Sequence, residues 1–156
     1  MLLSDPRVAA VPVHDSGEPL TELDESFGSS RALVRVSVAR RLALARAGLP
    51  EGLRLRVIEG YRTAAAQHAI IRSYADKIRV SHPAVGAAEL ERLASRFVAP
   101  MAVAPHVAGA AVDLTLVDSG GHDLDLGTPV DSTPEQSGGA LLLRRAPGGQ
   151  ARAGEP

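Results

Sequence analysis

The sequence predicts an α+β fold, with helices packed against a small, mainly antiparallel sheet, and three observations carry that prediction. Three stretches repeat apolar residues at helical spacing, two others alternate apolar and polar residues, and Gly120-Gly121 stands where a hairpin turns the second of these back. A chain of 156 residues buries about two-thirds of its unfolded surface, enough for one core.

Residues 1–30 are rich in Pro, Gly, Ser, Asp and Glu and hold only short apolar pairs, which reads as an irregular or weakly paired segment. From Ala32 to Ala47, the apolar positions Val34, Val38, Leu42 and Ala45 recur at helical spacing, behind Ser29 and Ser30 as caps and ahead of Gly48 and Pro50 as stop signals. Leu53, Leu55 and Val57 then alternate with Arg54 and Arg56, the pattern of a half-buried strand, which runs out into Glu59-Gly60-Tyr61-Arg62. Thr63 caps a second helix whose stripe is Ala66, Ile70, Tyr74 and Ile78. Arg62 therefore stands on a strand-to-helix turn beside a positive dipole end, a placement that suits an anion or oxyanion. Leu90, Leu93, Ala94 and Phe97 mark a third, shorter helix closed by Pro100, and Met101 to Pro105 is an apolar loop leading to His106.

Ala111 to Asp118 alternates again, with Val112, Leu114 and Leu116 on one face and Asp113, Thr115 and Val117 on the other. A two-residue turn at Gly120-Gly121 pairs residue i with 241 − i, so that Asp113 faces Thr128 and Asp131 ends beside His106 and Asp113. His122 sits opposite Ser119 in that register, about 20 Å from Asp113. His68 and His82 read as surface or helix-end residues. Ser132 to Pro156 is rich in Gly, Pro and Arg and reads as a disordered tail behind a single domain of residues 1–131.

Composition removes several classes of function. There is no Cys, so thiol catalysis and thiolate zinc sites are excluded. Seventeen basic against eighteen acidic residues give a net charge of −1, and aromatic residues make up 3%. Neither the electrostatic footprint nor the stacking platforms of a nucleic-acid binder are present. No window approaches the roughly 18 apolar residues of a membrane span, and Met1 to Val13 lacks the pattern of a signal peptide. The expected location is cytoplasmic, with no membrane partner.

The segment His106-Val107-Ala108-Gly109-Ala110-Ala111-Val112-Asp113 sets a loop imidazole beside a strand carboxylate, with small residues between them, so a zinc ion can sit between the two. With Glu59-Gly60-Tyr61-Arg62, Gln67 in the following helix, and Gly127-Thr128-Pro129-Val130-Asp131, this segment resembles the zinc D-alanyl-D-alanine dipeptidases of peptidoglycan turnover and vancomycin resistance. The match runs from about Leu53 to Asp131, roughly half the chain.

The resemblance implies one zinc held by His106 and Asp113, Arg62 steadying the oxyanion formed when water attacks the scissile carbonyl, and Asp131 holding the free ammonium of the dipeptide D-Ala-D-Ala. It implies a D,D-peptidase-like fold. Two departures stand out: Ala104 and Pro105 replace Ser residues that some members carry before the His, and the E-W-W-H segment that holds the family's third ligand and general base has no counterpart, since the chain has no Trp. The expected domain is thus one lacking its last strand. Two ligands and no base predict weakly held zinc and little hydrolysis. The alternative expectation is a truncated, inactive remnant that binds a D-amino-acid dipeptide or a peptidoglycan stem end without cleaving it. A third is an unstable fragment with an exposed sheet edge.

Overall fold

The computed structural model describes residues 3–11 and 13–127. The expectations for Thr128, for Asp131 and for the 132–156 tail lie outside that range. Within it the architecture is α+β, as the periodicities predict. In chain order the elements are α1 (Pro6–Ala9), β1 (Leu20–Glu22), β2 (Leu33–Arg35), α2 (Val36–Ala47), β3 (Arg54–Glu59), α3 (Ala64–Ser81), α4 (Ala87–Ala94) and β4 (Asp113–Val117). Strands β1 and β2 form one antiparallel pair, and β3 and β4 form another. No described helix is long and apolar enough to cross a membrane.

The N-terminal third corrects the expectation of an irregular segment. Leu23 and Phe27 join Val34, Leu42, Leu55 and Val57 in the main core cluster, and β1 pairs with β2. The helix expected from Ala32 accordingly begins at Val36, because Leu33–Arg35 is taken up as a strand. Ser29 and Ser30 do not cap it. Glu18 does so from a distance, its carboxylate accepting the Ser37 N–H at 2.9 Å and the Ser37 hydroxyl at 2.6 Å, while the Ser30 hydroxyl donates to the Val57 carbonyl at 2.6 Å. These long-range partners are invisible to a local reading of caps.

Leu42 is the one buried residue of α2, 6% exposed, and fixes the helix to the core. Leu42→Ala is expected to lower stability by about 3 kcal/mol, the usual cost of a truncated core leucine. Chemical denaturation with an unchanged m-value would show it, and a loss below about 1 kcal/mol would mean that α2 is not anchored there.

Thr63 caps α3 as expected, its hydroxyl accepting the Ala66 N–H at 3.1 Å. The third helix stops at Ala94, short of Phe97, which lies just beyond it and stacks on Tyr74 with ring centroids 5.8 Å apart. The apolar loop before His106 winds into two 3-10 turns, Met101–Val103 and Pro105–Ala108.

The second alternating stretch is strand β4, but its partner is β3. Leu116 packs on the core opposite Leu55, but Leu114 on the same face is exposed, and the buried residues of β4 are Thr115 and Val117 on the face of Asp113. The expected hairpin register is off by one. Asp118 N–H donates to His122 O at 3.0 Å, Val117 bridges Asp123, and Leu124 N–H donates to Leu116 O at 2.9 Å, so paired residues sum to 240 rather than 241. The turn has three residues, Ser119-Gly120-Gly121, with Gly121 at φ +84°, the left-handed position such a loop requires.

Candidate metal and substrate site

Three chain segments meet where β3 ends. At Val57 the β3–β4 ladder slips by one residue, so that Glu59, not Ile58, lies opposite Asp113. A bulge of this kind re-aims the side chains around it. Gly60 then passes so close to β2 that the Tyr61 N–H donates to the Leu33 carbonyl at 2.6 Å. The Pro105–Ala108 turn is buttoned to this crossing twice: the His106 ring Nδ1 hydrogen-bonds the Gly60 carbonyl at 2.8 Å, and the Arg62 N–H donates to the His106 carbonyl at 3.0 Å. Gly109 closes the turn at φ +67°, packed against Arg35, whose Nε donates to the Ala108 carbonyl at 3.2 Å.

These contacts fix the chemistry of His106. A carbonyl oxygen only accepts, so Nδ1 carries the proton against Gly60, and Nε2 of the neutral ring is left with its lone pair. That nitrogen faces the Asp113 carboxylate at 3.6 Å. The separation is too long for a hydrogen bond, but two zinc ligands in a tetrahedral shell stand about 3.4 Å apart given zinc–ligand distances near 2.1 Å. Glu59 brings a third acceptor, and ligand atoms of Glu59, His106 and Asp113 all lie within 4.8 Å of one another. Three electron-pair donors this close together fit a divalent cation. Among the described residues this is the one such group of three.

Sequence reasoning places His106 and Asp113 here and misses Glu59. A signal for it exists: Glu59 continues the alternation of Leu55 and Val57, which sets an acid on a strand's apolar face, and it precedes Arg62 by three residues. His122 stays outside the site, its Nδ1 3.2 Å from the Asp118 carboxylate. His68 lines a separate cleft between α3 and α4.

Arg62 stands beside the triad, where strand-to-helix geometry predicts it. Its Nε and Nη2 donate to the two Glu59 oxygens at 2.6 and 2.5 Å, and its Nη1 donates to the Gln67 Oε1 at 2.6 Å. Gln67 is 1% exposed and is itself held, its amide N–H donating to the Ala99 carbonyl at 2.7 Å. A guanidinium carries about five N–H donors, so after these three bonds it keeps two for a ligand. The bidentate contact with Arg62 holds the Glu59 carboxyl below the usual glutamate range, against the opposing effect of burial.

The sign of the pH dependence follows. A carboxyl whose pKa is lowered on folding contributes stability above its ordinary value, and that contribution is lost as the pH falls through the lowered one. Carbon-detected NMR titration should therefore find Glu59 ionising below its ordinary 4.5 in the native chain. It should move back up in Arg62→Gln, and an unchanged titration in that variant would dissolve the pairing.

A cleft of about 380 Å³ opens on Arg62, Gln67, His106 and Asp113 and extends to Ile70, Tyr74 and Phe97. Ala104 and Pro105 line it too. Asp131, expected to hold an ammonium, lies outside the described residues.

Solved structures similar to this chain include the following two. One is a vancomycin resistance D,D-pentapeptidase VanY from a VanB-type resistance cassette, a mutant in complex with Zn(II), at 22% identity and a TM-score of 0.48, covering 68% of this chain and 57% of that one. The other is VanYB in complex with D-Alanine-D-Alanine, at 20% identity and a TM-score of 0.48, covering 82% of this chain and 66% of that one. The likeness concerns the fold. The chain thus spans less than two-thirds of the length of either structure. No protein-family model matches it. No curated protein is significantly similar to it in sequence.

Proposed function

We propose that the chain is a zinc-dependent peptidase of short D-amino-acid peptides, with D-Ala-D-Ala the first substrate to test. The observation that carries this reading is the grouping of ligand atoms of His106, Asp113 and Glu59 within 4.8 Å of one another, beside a guanidinium with unused donors. His106, Asp113 and Glu59 would hold the ion. When bound, zinc supplies a Lewis acid for a carbonyl and lowers the pKa of water toward neutrality.

The remaining roles belong to the chain's own residues. Gly60 fixes the His106 tautomer through its carbonyl. Gln67 and Glu59 hold the guanidinium plane of Arg62, leaving its two remaining N–H groups to bind the oxygen on which negative charge develops. Glu59 suits ligation better than proton transfer, because a carboxyl held below its ordinary pKa is a weak base. With Asp113 also assigned to the ion, no described carboxylate at the triad remains to take a proton, and turnover is expected to be slow.

The test is release of D-alanine from D-Ala-D-Ala by the full chain with added zinc, beside a His106→Ala control. Zinc-dependent release that vanishes in the control supports the reading. Zinc binding without release above the control would leave a binding module and overturn the peptidase assignment.

A further inference from the structure

The cleft is chemically divided along its length. At one end stand Arg62, His106 and Asp113. From there the wall follows α3 through Gln67, Ile70 and Tyr74, a span of about 10 Å at 1.5 Å rise per residue. Gln67, 1% exposed and bonded to Arg62 and Ala99, presents almost no polar surface to this wall. Beyond it the surfaces are Ile70 and the stacked rings of Tyr74 and Phe97. Phe97 remains 45% exposed, a large apolar surface facing the cleft.

A methyl side chain leaves such a surface wet. We infer that the Ile70–Tyr74–Phe97 end of the cleft is a specificity subsite for a bulky apolar side chain, branched or aromatic, on a short peptide whose scissile amide lies at the Arg62 end. This inference rests on the peptidase reading and narrows its substrate class from D-Ala-D-Ala toward dipeptides with one larger apolar residue. The physical reason is burial: each methylene that a ligand adds inside an apolar pocket strengthens binding by about 10-fold or more, and Ile70 with the faces of the two rings gives it apolar surface to cover.

Isothermal titration of the zinc-loaded full chain with three phosphinate analogues, those of D-Ala-D-Ala, D-Ala-D-Leu and D-Leu-D-Ala, tests it without hydrolysis. One of the two leucine analogues is expected to bind at least about tenfold tighter than the alanine analogue. Phe97→Ser, at a half-exposed position, should cut that ratio to about twofold or less in a chain that circular dichroism shows to be folded at the titration temperature. Equal binding of all three analogues, or an unchanged ratio in Phe97→Ser, overturns the subsite and leaves the peptidase reading standing. Failure of all three to bind overturns both.

Discussion

Asp113→Ala is expected to weaken zinc binding by at least about 100-fold while leaving the metal-free protein as stable as before. The affinity side follows from geometry. His106 Nε2 and the Asp113 carboxylate face each other at 3.6 Å with no hydrogen bond between them, a spacing that fits two ligands of one cation. Outer-shell partners alone are worth roughly 10- to 100-fold in metal affinity, and a direct ligand is worth more. The stability side follows from exposure, since the Asp113 side chain is 56% exposed and a surface substitution of this kind costs within about 0.5 kcal/mol. Zinc-dependent melting separates the two. At a zinc concentration about 100 times the native dissociation constant, the native chain gains about 2.7 kcal/mol, and a variant binding about 100-fold more weakly gains about 0.4 kcal/mol. An equal zinc response in Asp113→Ala would remove this carboxylate from the site. Glu59→Gln should also weaken binding, and it frees Arg62 at the same time, so its effect is read with the Asp113 variant as reference.

How much of the site is legible in the sequence depends on how local each part is. His106 and Asp113 share one short segment with a glycine between them, and Arg62 follows a strand and precedes a capped helix. Each of those relations spans few residues, and the structure brings all three together. Glu59 depends on a bulge in a ladder whose other strand lies more than fifty residues on, and nothing in the Leu53–Val57 alternation announces the slip. The same holds for the fold. Period and caps locate α3 from Thr63 onward, but the start of α2 is set by Glu18 and by the pairing of Leu33–Arg35 with Leu20–Glu22, which local spacing cannot register. The hairpin register departs by one residue from the expected one because Gly121, at φ +84°, closes a three-residue loop where Gly120-Gly121 alone suggests a two-residue turn. Such a slip reassigns every cross-strand neighbour.

Gly60→Ala is expected to be the most damaging small substitution in the chain, because it strikes packing and site together. A Cβ at that position would lie 2.2 Å from the Leu33 carbonyl oxygen and 2.9 Å from Val34 Cγ1. Neither can yield cheaply. The Leu33 oxygen already accepts the Tyr61 N–H at 2.6 Å, and Val34, 1% exposed, is locked in the core. The strand exit must therefore move away from β2, at a cost of about 3 kcal/mol, the upper part of the range for overpacked interiors. For a domain of this size that is a fall of about 10 °C in melting temperature. Gly48→Ala supplies the comparison, since its added Cβ would meet only helix carbonyl oxygens at 3.7 Å, and it should melt within about 2 °C of the native chain. The displacement also reaches the chemistry, for the Gly60 carbonyl holds the His106 ring and the Arg62 N–H holds the His106 carbonyl. Zinc affinity in Gly60→Ala should fall at temperatures where circular dichroism still shows a folded chain. If Gly60→Ala instead melts with Gly48→Ala and binds zinc as the native chain does, then β2 and the strand exit are not in contact, and the crossing that positions His106 is wrong.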